Sequence, residues 1–160
     1  MRFVLPYFTL LVLLCSACTK DKVATPDTAK HIPYGSNSAQ QFDFYPPEKS
    51  VVDKCPVILL IHGGGWVWGG APAFPASSLY DSFRTNGYAI VDMNYRLATD
   101  NAYPAQLDDI DSLLSFLQAH AAEYRIDPQR ICLMGQSAGA HLSMLYAYAR
   151  NTRKKVKMVI

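Results

Sequence analysis

The sequence predicts an α/β protein in which a mostly parallel sheet is flanked by helices. Three short apolar runs, at 57–61, 88–93 and 131–134, are each bounded by turn residues, and such continuous runs suit central strands covered on both faces. The segments between them carry helical periodicity, and strand–helix alternation argues for parallel strands joined by crossover helices. Composition agrees: 50% hydrophobic and 18% charged residues in a chain of 160 are ordinary for one globular domain and too apolar for a disordered tail.

Residues 1–18 read as an export signal. A basic start, Met1-Arg2, precedes an apolar run over 3–14, and small residues Ser16-Ala17 precede Cys18. The run is short for a bilayer span. Cys15-Ser16-Ala17-Cys18 resembles a bacterial lipoprotein signal, with Cys15 where Leu is usual, and the resemblance implies Cys18 as the lipidated residue. The domain is then expected outside the cytoplasm, anchored to the membrane at its periplasmic or cell-surface side, with plain secretion as the alternative. Residues 19–40 are polar, contain Pro and Thr, and read as a tether. The folded part is expected over 41–160.

From Gln41, the alternation of Phe42 and Phe44 with Gln41 and Asp43 suits a half-buried strand stopped by Pro46-Pro47. The helix over 104–123 is the most regular, with Leu107, Ile110, Leu114, Leu117 and Ala121 forming one apolar stripe. Pro104 suits its start, and Asp108, Asp109 and Asp111 lie toward the N-terminal half, where the helix dipole favours them. A last helix is expected over 138–150.

A net charge of +2 gives no dominant electrostatic partner, so duplex nucleic acid is not suggested. Arg150, Arg153, Lys154, Lys155 and Lys157 cluster near the end, where a helix C-terminus and a solvated loop accommodate cations. Setting aside the signal cysteines leaves Cys55 and Cys132 in a compartment that permits a disulfide, although Cys132 lies in an apolar run where a reduced buried thiol is common. No His/Cys cluster marks a metal site.

Two glycine-rich motifs fall at strand ends. His62-Gly63-Gly64-Gly65-Trp66 directly follows the run 57–61. Counted from Gly63, a dinucleotide fingerprint would need a sixth-position Gly, where Trp68 stands, and there is no Gly-Lys-Ser/Thr for a P-loop. What remains is a loop with little side chain, able to aim several backbone N–H groups at one atom. Gly135-Gln136-Ser137-Ala138-Gly139 follows the run 131–134 and precedes the last helix. A serine flanked by glycines two residues away on each side suits a sharp strand-to-helix elbow, with its hydroxyl exposed and a helix N-terminus behind it.

With HGGGW at 62–66, NYRL at 94–97, YPAQLDD at 103–109 and GQSAGAHL at 135–142, the chain resembles the α/β-hydrolase superfamily. It is similar to the esterases and lipases of the hormone-sensitive-lipase and carboxylesterase type, over residues 41–160. The resemblance implies a serine hydrolase of carboxylic esters, with Ser137 as nucleophile and the backbone N–H groups of Gly64, Gly65 and Ala138 as oxyanion hole. It implies no metal or organic cofactor, and it gives His62 a loop-shaping role. Exported relatives point to acetyl or feruloyl esters of carbohydrates, with small-molecule esters also in scope and Trp66, Trp68 and Tyr95 as cleft residues or core. Arg96 is expected to pair with Asp108 or Asp109.

Two departures blur the subfamily: Ala98-Thr99 follows Arg96-Leu97 where many relatives have Ala-Pro, and Gln136 stands where many have Asp or Glu. A third concerns catalysis. In this superfamily the acid and then the histidine follow the nucleophile in the chain. Downstream of Ser137 there is no Asp or Glu, and His141 is the only His. Four residues on from Ser137, His141 reads as a helix residue that packs or meets solvent. Residues 156–160 resemble the start of a sixth strand, so the expectation is the N-terminal portion of the fold, truncated before its acid and base. An arylformamidase-like amide hydrolase and a non-catalytic binding module are the alternatives.

Overall fold

The structure, a computed structural model, describes residues 26–48, 54–73 and 78–160. The signal 1–18, with Cys18, lies outside the described residues, as does the tether up to residue 25. Strands β1 (Ala29–Pro33), β2 (Gln41–Tyr45), β3 (Cys55–Ile61), β4 (Ala89–Met93), β5 (Ile126–Gly135) and β6 (Val156–Val159) alternate from β3 onward with helices α1 (Ser78–Thr85), α2 (Ala105–Ala119) and α3 (Ala138–Ala149). The six strands form one sheet in the order β1-β2-β4-β3-β5-β6. β3, β4, β5 and β6 are mutually parallel, while β2 runs antiparallel to both β1 and β4.

The unbroken apolar run of β3 has a direct cause. Val57, Leu59 and Ile61 join a core cluster with Leu107, Ile110, Leu113, Leu114 and Leu117 of α2 and Leu142 and Tyr146 of α3. Ile58 and Leu60 point the other way, into a cluster with Tyr80 of α1, Ile90 and Cys132. Successive side chains leave a strand on opposite faces, so a strand covered on both must be apolar throughout.

Several expectations need correction. The stretch read as a tether contains β1, which pairs with β2. It shows no apolar period because its core contacts are few: Ile32 alone among the β1 side chains packs against the core, as a partly buried hydrophobic, and Tyr34 just after the strand is buried in it. The half-buried reading of β2 also falls short: Asp43 is only 4% exposed, its carboxylate accepting the His31 N–H at 2.8 Å. β5 begins at Ile126, where the polar stretch Asp127-Pro128-Gln129-Arg130 conceals a strand that bulges before rejoining the ladder at Ile131. α2 stops at Ala119 with His120 as its C-cap, so 120–123 lie beyond it. Cys55 and Cys132 are free and buried. Burial pushes both thiols up. Among the described residues, no helix is long and apolar enough to cross a membrane.

Candidate active site at the ends of β3 and β5

β3 and β5 are adjacent, with Ile61 opposite Gly135. Their C-terminal ends therefore release the His62–Trp66 loop and the Gly135–Gly139 elbow side by side. The Gln136 N–H donates to the Ile61 carbonyl at 3.3 Å, and a Cβ on Gly63 would lie 3.0 Å from the Gln136 carbonyl oxygen and 3.4 Å from the Ser137 Cβ.

The elbow is as tight as its sequence suggests. Ser137 has φ 51° and ψ −114°, a conformation that residues with side chains seldom occupy. The flanking glycines are required by space. A Cβ on Gly135 would sit 2.3 Å from the Gly139 carbonyl carbon, and one on Gly139 would sit 2.0 Å from the Ile61 carbonyl oxygen. Ser137 is exposed while Ala138 behind it is buried. Ala138 is the first residue of α3, so its N–H is among those that a helix leaves without an internal partner.

The glycine loop is held in a left-handed path. Gly64, Gly65 and Trp66 have φ of 111°, 56° and 67°, and the Gly64 carbonyl accepts the N–H groups of Val67 and Trp68, each at 3.1 Å. A Cβ on Gly64 would collide with the Trp68 carbonyl oxygen at 1.8 Å, whereas one on Gly65 would meet nothing within 4 Å. Gly64 is thus fixed by contact and Gly65 by backbone conformation, beside open space.

His62 shapes this loop from below. It is buried, and its Nδ1–H donates to the Gly63 carbonyl at 2.6 Å. Burial lowers its pKa. Its ring stacks on Tyr95 with centroids 4.2 Å apart, and the Tyr95 hydroxyl donates to the His62 carbonyl at 3.1 Å. Tyr95 is 1% exposed. It is therefore not a cleft residue but a prop, and burial pushes its phenol up to about 12. Trp66 and Trp68 differ, at 39% and 68% exposed. The Trp66 indole stands edge-to-face on His141, centroids 5.3 Å apart.

The Tyr95 prop is itself anchored. Asp109 is fully buried and accepts from Arg96 Nη2 at 2.7 Å, from the Arg96 backbone N–H at 2.8 Å and from Gln40 Nε2 at 2.7 Å. Asp109 is thus the acid that Arg96 chooses. Asp108 instead pairs with Arg150.

Two supporting residues were not anticipated from the sequence. Asn94 Oδ1 accepts the Ala71 N–H at 2.7 Å, and the buried Asp92 carboxylate accepts the Ala73 N–H at 3.0 Å and the Tyr80 hydroxyl. Together they fasten the chain that leaves the glycine loop onto the end of β4. The available signal was a lone acid, Asp92, within an otherwise apolar strand.

No histidine among the described residues is paired with a carboxylate at Ser137. His31 lies beside Asp43 from β1, and His120 beside Glu123 at the end of α2. Nor do the described residues include a group of three or more His, Cys, Asp or Glu able to hold a metal ion.

Comparison with known proteins gives this geometry its context. The profile of the BD-FAE family matches residues 42–159. Carboxylesterase NlhH of Mycobacterium tuberculosis is 36% identical over 104 residues, 65% of this chain and 32% of its own. An esterase of Gibberella moniliformis is 34% identical over 112 residues, 69% of this chain and 34% of its own. The chain therefore spans about a third of the length of these curated relatives. Among solved structures, the thermostable carboxylesterase EstE1, cloned from a metagenomic library, superposes with a TM-score of 0.69 at 30% identity, covering 86% of this chain and 47% of that one. A truncated carbohydrate esterase from gut microbiota superposes with a TM-score of 0.67 at 27% identity, covering 74% of this chain and 42% of that one. Motifs, sheet order and relatives agree, and the chain belongs to the BD-FAE family of α/β-hydrolase esterases.

Proposed function

We propose that these residues supply the nucleophile and the oxyanion hole of a carboxylic-ester hydrolase. The observation that carries this reading is Ser137 itself, exposed and held at φ 51° at the mouth of α3 beside the glycine loop. Ser137 Oγ adds to the ester carbonyl carbon as its proton passes to a base. The Gly64, Gly65 and Ala138 N–H groups receive the resulting oxyanion, a contribution worth about 3 kcal/mol of barrier per donor. The carbonyl re-forms, the alcohol leaves with a proton, and water then releases the acid from the acyl-serine. His62 is unsuited to be the base: its Nδ1–H is committed to Gly63 and its ring is flat against Tyr95. The described residues supply the electrophilic half of the chemistry and the nucleophile, not the base.

The substrate we favour is an ester of a carbohydrate, such as an acetyl or feruloyl ester. Trp66 and Trp68 are exposed aromatic residues at the glycine loop, Trp66 standing on His141 of the helix that follows Ser137, and one of the similar structures is called a carbohydrate esterase. An acyl chain on Cys18 would hold the domain at a membrane surface, and a Cys18→Ala variant recovered in the soluble rather than the membrane fraction supports that placement. Acetate or ferulate release from acylated oligosaccharides tests the activity. Release that disappears in Ser137→Ala supports the reading, and release unchanged in that variant overturns it.

A further inference from the structure

We infer that His141 is a positioning residue that holds the glycine loop against the nucleophile helix through Trp66. This rests on the proposed roles of Ser137 and the loop. Trp66 follows Gly65 directly and continues the left-handed path at φ 67°, a conformation that disfavours any residue with a Cβ. A compensating contact is therefore expected of its side chain. The indole finds that contact on His141, with ring centroids 5.3 Å apart and planes at 80°, the edge-to-face arrangement that aromatic pairs prefer.

His141 is suited to this by its place in α3. Its N–H donates to the Ser137 carbonyl at 3.0 Å, so it stands one helical turn beyond the nucleophile, on the same face. The Trp66 carbonyl meanwhile accepts the Ala98 N–H at 2.8 Å, and His62 with Tyr95 supports the loop from below. Those contacts fix the loop relative to β3 and β4. The Trp66–His141 contact is different, because it joins the loop bearing Gly64 and Gly65 to the helix bearing Ala138. An oxyanion hole assembled from both needs their separation fixed, and a misplacement of about 1 Å costs roughly a hundredfold in rate.

The test uses His141→Ala, His141→Phe and Trp66→Ala in the full chain, each checked for an unchanged thermal midpoint. The rate of Ser137 phosphonylation by a fluorophosphonate is measured against reagent concentration, together with acrylamide quenching of Trp66 emission in a Trp68→Phe background, where Trp66 is the sole tryptophan. The expected result is a limiting rate about tenfold lower in His141→Ala and Trp66→Ala with half-saturation little changed, substantial recovery in His141→Phe, and more accessible Trp66 in His141→Ala. Equal limiting rates and equal quenching in wild type and His141→Ala overturn the positioning role. Absence of Ser137 labelling in the wild type counts against the proposed function instead, and the quenching comparison still decides whether His141 holds Trp66.

Discussion

Gly139 lies against the main chain of Ile61 so closely that a Cβ at position 139 would stand 2.0 Å from the Ile61 carbonyl oxygen. The first turn of α3 therefore packs on the end of β3 through bare backbone. Since the Ile61 carbonyl also accepts the Gln136 N–H, one strand end sets the position of the whole elbow. Gly139→Ala should push α3 outward and destabilise the fold by about 2 kcal/mol, within the usual range for overpacking. The denaturation midpoint in urea measures it, and a midpoint equal to wild type would show that the approach is not tight.

Ser137 occupies a backbone conformation that only glycine adopts without penalty. Ser137→Gly is therefore expected to be more stable than Ser137→Ala by about 1 kcal/mol. Thermal midpoints of the two variants give the comparison directly. A stable domain with a strained serine signals that its position is held by the surroundings, as a nucleophile requires.

Much of this site was legible in the sequence because glycine reports space and backbone conformation. Gly64, Gly135 and Gly139 each stand where a Cβ would strike main chain, and that demand is visible as a motif. The unbroken run of β3 disclosed a doubly covered strand for the same kind of reason. β1 was not legible because an edge strand needs little apolar surface, and Ile32 alone gives no pattern. The role of Tyr95 was open because an aromatic after a strand suits either a cleft or a core, and only its stacking on His62 decides. Asp92 and Asn94 act on backbone N–H groups about twenty residues away in the chain, a pairing with no local signature.

Asp109 serves four donors with one fully buried carboxylate: the Arg96 backbone N–H, Nε and Nη2, and Gln40 Nε2. Asp109→Ala removes the carboxylate that Arg96 and Gln40 share, leaving the Arg96 guanidinium only the Ala105 carbonyl among the described residues, and should cost about 3–5 kcal/mol, the range for breaking one side of a buried pair. In a double variant, Arg96→Leu with Asp109→Leu, the loss should be well below the sum of the single losses. Additive losses in urea unfolding would show that the pair is not coupled.

Burial pushes the Asp92 carboxyl up from 3.8 to about 6, with the Asp43 charge adding to it against the hydrogen bonds from Tyr80 and Ala73. Because the folded state then binds this proton more tightly than the unfolded chain, the group's contribution to stability is full below pH 3.8 and declines as pH rises to about 6. Unfolding free energies of wild type and Asp92→Asn between pH 4 and 7 isolate the effect. Wild type should lose ground to the variant across that window by about 2–3 kcal/mol, and parallel curves would contradict the assignment.

Whether Ser137 is a nucleophile presented to an oxyanion hole is decided by mass spectrometry of the protein after prolonged incubation with a fluorophosphonate. An oxyanion hole and substrate binding alone sustain roughly a thousandfold of catalysis over water when a triad member is removed, so slow labelling is accessible to prolonged incubation. One adduct is expected, mapped to Ser137, abolished in Ser137→Ala and slowed by substitutions that move the glycine loop. An adduct on another residue, or none at all on a folded chain, would contradict that role for Ser137.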